Sequence, residues 1–175
     1  MLISTSRKPS QRTRQFCKNL SHITAFSSVN RGKMNMREVL LKAFELDETN
    51  IAIVDEIKGN PSRITFYSNE GDVLLTILIG ASSENEKFNM APSKLKLVSE
   101  VPKLNCLSDI LGIELVDKSS ENYIHVSRTN DDLIAKINFI NKFGDKVKFQ
   151  IDIKKILSLL GSSLFSFMAK SFFQC

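Results

Sequence analysis

The side chains that could do chemistry in this chain are few and far apart. Cys106 and His125 are the residue types of a thiol nucleophile and its base, but such a pair also needs a third group to orient the imidazole. No surrounding signature supplies one, so His125 reads as a structural strand residue, and His22 lies in the basic N-terminal segment. Paired carboxylates can trade a proton or hold a hard cation. Asp131-Asp132 and Glu84 with Glu86 lie adjacent or nearly so in polar stretches, where solvation is the simpler role. Cys17, Cys106 and Cys175 are too widely spaced for a disulfide framework or a cysteine metal site. The seven glycines are isolated, so neither a phosphate-cradling loop nor a dinucleotide fingerprint can be written. The sequence therefore assigns no catalytic, cofactor-binding or metal-binding residue, and leans away from an enzyme.

Lys136, Lys146 and Lys148 fall on the wet face of a patterned hairpin and could meet phosphates. Asp145 and Asp152 dilute that charge, and that face interleaves no aromatic side chain to stack bases. A solvated face is expected.

Charge divides the chain. Its first 37 residues hold eight Lys or Arg and no Asp or Glu, whereas the rest holds 16 basic and 19 acidic side chains. The whole-chain net charge of +5 thus belongs to the N-terminal segment. Phe16, Leu20 and Ile23 share a helical face there, with Arg14 and Lys18 roughly opposite. A basic amphipathic helix in an acid-free, Ser-rich terminus is similar to a mitochondrial transit peptide. The alternatives are a disordered basic arm and a start at Met34 or Met36. The expected organisation is a basic disordered or cleavable leader over 1–35 and a single domain over 36–175. For that body the −3 balance predicts no nucleic-acid partner. Location follows the leader: mitochondrial if it is a transit peptide, otherwise cytoplasmic.

The elements that must position any site follow from periodicity. Met36 to Leu46 reads as a short amphipathic helix, and Asn50–Ile57, Arg63–Ser68 and Val73–Ile79 as a meander of strands. Leu95–Val101, Ile113–Val116 and Tyr123–Ser127 read as further strands. Asn105 to Leu111 forms a helical turn or two, with Gly112 where a left-handed residue ends a helix. Ala135–Phe139 and Val147–Ile153 alternate as a hairpin with one buried face. A long apolar helix is expected over 154–173. The predicted fold class is α+β: an antiparallel sheet built of hairpins, with a short N-terminal helix and that C-terminal helix packed on it. No internal repeat is visible. The element order from Met36 onward resembles that of the small chaperones that hold type III secretion effectors, without a shared residue motif.

The C-terminal segment carries the functional expectation. Between Ile156 and Phe173 the only charge is Lys170. Leu157, Leu160, Leu164, Phe167 and Met168 are the candidate interface, covering a protein partner or a second copy. The leading reading is a non-enzymatic binding or assembly domain without cofactors. Two alternatives are a small-ligand or enzymatic domain with an apolar pocket between sheet and helix, and a peripheral membrane protein anchored by the C-terminal helix.

Overall fold

A computed structural model describes residues 1–83, 88, 90, 95–129 and 131–159. Strand β1 (Leu2–Thr5) opens the chain, followed by helix α1 (Gln11–Thr24), strand β2 (Ser27–Ser28) and helix α2 (Met36–Glu45). Strands β3 (Asn50–Ile57), β4 (Asn60–Ser68) and β5 (Val73–Ser83) then form a meander. Strand β6 (Lys96–Ser99), a 3-10 turn (Pro102–Leu104), helix α3 (Leu107–Leu111) and strand β7 (Glu114–Leu115) come next. Strands β8 (Tyr123–Ser127), β9 (Ala135–Ile140) and β10 (Lys146–Leu159) complete the described residues. All ten strands join one sheet in the order β2-β1-β3-β4-β5-β10-β9-β8-β6-β7.

That order hides a repeat that the sequence does not display. In the first half, β1 pairs in parallel with β2 on its outer side and β3 on its inner side, and two antiparallel strands follow. In the second half, β6 pairs in parallel with β7 and β8 in the same way, again followed by two antiparallel strands. The halves meet where β5 and β10 pair antiparallel, Ile79 opposite Ile153. The repeat is one of connectivity: each half builds a parallel core through a helical crossover and then closes with a hairpin.

The main hydrophobic core lies on one face of the sheet. Phe16, Cys17, Leu20 and Ile23 of α1 and Leu107 and Ile110 of α3 pack there against Ile3, Val54, Ile77, Phe139, Phe149 and Ile151. The rings of Phe16, Phe88 and Phe139 surround Phe149 with centroids 5.4–5.9 Å away. On the opposite face, α2 covers only the first half, where Val39 and Ala43 pack on Leu2, Ile51 and Ile53. Among the described residues, the segment from β7 to β8 carries no helix, and none packs on the same face of the second half.

Three expectations are corrected here. The sheet is mixed rather than antiparallel, because β1 and β6 each take two parallel neighbours. Residues 1–35 are not a leader apart from the domain: Leu2 and Ile3 are fully buried inside the sheet, and the apolar face of α1 closes the core. The helix expected over 154–173 begins instead as strand, since Lys154–Leu159 continues β10 beside β5, and 160–175 lies outside the described residues. Among the described residues, no helix is long and apolar enough to cross a membrane.

Candidate nucleic-acid interface

Five of the eight basic residues of the first 37 positions gather because β1, β2 and β3 run parallel, so the loops leaving them emerge at one end. At that end β1 hands the chain outward to α1 while β3 hands it inward to β4. Arg7 and Lys8, both exposed, follow β1. Arg31 follows β2 and reaches back so that its guanidinium donates to the carbonyl of Thr5 at 3.4 Å. Lys58 caps the β3–β4 turn in a left-handed conformation, φ +50°.

Helix α1 is fixed to that turn through its first residues. Ser10 caps the helix, its hydroxyl oxygen accepting from the Thr13 amide at 3.2 Å. The Ser10 hydroxyl lies 3.0 Å from the Gly59 carbonyl, and Arg12 donates to the side chain of Asn60. Glu56 receives both the amide and the hydroxyl of Ser10. The Thr13 hydroxyl, with the Ser10 amide and hydroxyl, holds the Glu56 carboxyl below its usual range. The first turn of α1 carries no acid, so Arg12 and Arg14 stand exposed beside a helix end that already attracts anions. Arg7, Lys8, Arg12, Arg14, Arg31 and Lys58 form a rim of fixed positive charge on a rigid support. Such a rim suits a phosphate backbone, which is held by point charges and guanidinium forks rather than by a deep pocket.

The other candidate residues are dispersed. Cys106 packs on the core face and its thiol donates to the Lys103 carbonyl at 3.7 Å. His125 lies on the other face and meets Glu100 at 3.0 Å, so the sheet separates the two. Asp131 pairs with Lys136 at 3.0 Å, and Lys146 donates to Gln150 at 2.7 Å. Glu84, Glu86 and Cys175 lie outside the described residues, as do Leu160, Leu164, Phe167 and Met168. Leu157 is on β10, 47% exposed. Among the described residues, no cluster of three or more His, Cys, Asp or Glu could hold a metal ion. A groove of about 590 Å³ opens on the α2 side of the sheet, lined by Asp55, Arg63, Thr65, Tyr67, Val73, Thr76, Ser158 and Leu159. Its largely polar lining differs from the apolar pocket expected between sheet and helix. The sequence had displayed every cation of the rim; what it lacked was the parallel pairing that gathers them.

The fold and rim define a class: a mixed-sheet protein of two topologically matched halves with a basic edge. No family model matches the sequence. The chain is 36% identical over 154 residues to a probable Brix domain-containing ribosomal biogenesis protein of Methanothermobacter thermautotrophicus, covering 88% of this chain and 96% of that protein. It is 31% identical over 176 residues to the protein of the same description from Methanosarcina mazei, covering 98% of each. The crystal structure of Mil, an archaeal Imp4-like protein, superposes with a TM-score of 0.79 at 34% identity, over 89% of this chain and 97% of that one. A probable ribosomal biogenesis protein from Aeropyrum pernix shares the fold, with a TM-score of 0.73 at 22% identity over 91% and 98% of the two chains. The chain belongs to the Brix domain-containing ribosomal biogenesis proteins.

This membership corrects further expectations. The relatives are archaeal, and archaea have no mitochondrion to receive an imported protein. The mitochondrial location and the transit peptide therefore both fall. The expectation of no nucleic-acid partner falls too, since relatives named for ribosome biogenesis work on a particle made of RNA and protein. The error lay in subtracting the charge of residues 1–35 from a body that contains them. The likeness to type III secretion chaperones gives way to this family.

Proposed function

We propose that this chain is a non-enzymatic assembly protein of ribosome biogenesis that grips ribosomal RNA through the basic rim at the start of α1. The observation that carries the reading is the placement of Arg7, Lys8, Arg12, Arg14, Arg31 and Lys58 at one end of the sheet. Family membership supplies the particle, and the rim supplies a means of holding its RNA. Phosphate contacts of this kind fix register and orientation without reading sequence.

A protein partner is assigned to the far end of β10. Leu157 and Leu159 are 47% and 45% exposed there, and Leu160, Leu164, Phe167 and Met168 continue the apolar sequence beyond the described residues. Exposed apolar side chains grouped in this way suit a protein contact.

Gradient sedimentation of extracts tests the assembly role. The tagged chain is expected to travel with precursor ribosomal particles, and Arg7→Glu/Lys8→Glu/Arg12→Glu is expected to move it to the top of the gradient while leaving it folded. A wild-type chain that stays at the top at every salt concentration would overturn the proposal.

A further inference from the structure

Helix α2 starts at the same end of the sheet as α1, but on the opposite face. Strand β2 runs parallel to β1, so the loop that leaves it emerges where Arg7 and Lys8 stand, and α2 returns from there to the start of β3. Arg31 ties that loop to β1: its guanidinium donates to the Met34 carbonyl at 3.1 Å and to the Thr5 carbonyl at 3.4 Å. Gly32, φ +55°, keeps the turn tight and has open space beside it. Lys33 sits in this turn and Arg37 in the first turn of α2, both exposed. The rim at the start of α1 therefore has a counterpart across the end of the sheet.

Two observations select a ligand. The carboxylates that α2 and β3 bring to this end are already engaged. Glu38 accepts from the Asn35 amide at 2.7 Å in a capping box, Asp55 pairs with Arg63 at 2.8 Å, and Glu56 is bound by Ser10. Among the described residues, Arg7, Lys8, Lys33, Arg37 and Lys58 have no carboxylate partner. Second, the segments that carry the cations, 6–14, 29–37 and 56–60, contain no aromatic residue. Unpaired RNA is held by rings on which its bases stack, and these segments offer none. A duplex keeps its bases stacked within itself and is held by its shape and by contacts to its two backbones. Arg12 and Arg14 stand on one face and Lys33 and Arg37 on the other, with Arg7 and Lys8 between them. That spread suits two backbones rather than one.

We infer that the end of the sheet binds a double-stranded RNA stem astride it, with one backbone at the start of α1 and the other on Lys33 and Arg37 at the start of α2. The inference rests on the reading of the rim as an RNA grip. It adds the paired state of the RNA and two binding residues on the far face.

Fluorescence anisotropy with a labelled 12-base-pair RNA duplex and a labelled U12 strand tests this. The wild type is expected to bind the duplex more tightly than U12 at the same salt concentration. Lys33→Gln/Arg37→Gln is expected to weaken duplex binding about fivefold or more, with a log–log salt slope shallower by about 1–2, and to change U12 binding by less than about twofold. Lys18→Gln removes an exposed cation midway along α1 and is expected to leave duplex binding unchanged. The inference is overturned if U12 binds as tightly as the duplex, if the double variant leaves duplex binding unchanged, or if it weakens both ligands equally. Failure of the rim reading shows separately, as an Arg7→Gln/Lys8→Gln/Arg12→Gln variant that binds both ligands as the wild type does. A wild type that binds neither ligand would overturn both.

Discussion

Ser10 gives Glu56 both its amide, at 2.8 Å, and its hydroxyl, at 2.7 Å. One carboxylate at the end of β3 thereby sets the residue that caps α1, and the cap sets where Arg12 and Arg14 stand. Glu56→Gln keeps the shape and loses the charge; it is expected to destabilise the fold by about 1 kcal/mol, partial solvent access having reduced the usual value for a charged hydrogen bond. The carboxyl is held below its usual range in the folded state, so its contribution is present above the unfolded value. That contribution is lost as pH falls through the depressed folded value. Thermal melts below pH 5 should therefore show a steeper loss of stability in the wild type than in Glu56→Gln.

Phe16 stacks against Phe149 at 5.4 Å and is 4% exposed. Its removal leaves a cavity between α1 and the central strand. Phe16→Ala is expected to cost about 3–5 kcal/mol in urea unfolding. A detachable leader would show no change.

Cys17 gives the same segment a chemical signature. Burial pushes its thiol up to about 12, whereas Cys106 is only half-buried. A Cys175→Ser variant at pH 8 should react with one equivalent of a maleimide at Cys106, with Cys17 reacting only after unfolding, because the thiolate is the nucleophile. Mass spectrometry of the labelled peptides reads the outcome.

Much of the sheet was legible because alternation survives where one face is buried. Helix α2 and strands β3, β4, β8 and β9 fall close to their expected places, and Gly112 ends α3 with φ +66° as its position suggested. The C-terminal error has a physical cause. Between Ile153 and Lys155, and again between Ile156 and Ser158, the register of β10 against β5 shifts. Each irregularity breaks the two-residue period, and an apolar stretch without that period reads as a helix. At the other end, β1 and β2 hold four and two residues, too few for a pattern. The apolar stripe of α1 was visible, but nothing local distinguishes a stripe made for the protein's own core from one made for a receptor.

The candidate interface divides in the same way. Its cations stand in the sequence, yet what gathers those that follow β1, β2 and β3 is the parallel pairing of β1 with β2 and β3. Side chains brought together by strand pairing leave no spacing signature in the chain.

Salt dependence of RNA affinity tests the central claim most directly. The observed binding constant for a ribosomal RNA fragment should fall steeply with salt as the rim displaces counterions. Arg7→Gln/Lys8→Gln/Arg12→Gln should bind more weakly, with a log–log slope shallower by about 2–3, on the order of one for each lost phosphate contact. Slopes that coincide for the wild type and the folded triple variant would contradict the claim that the start of α1 holds RNA.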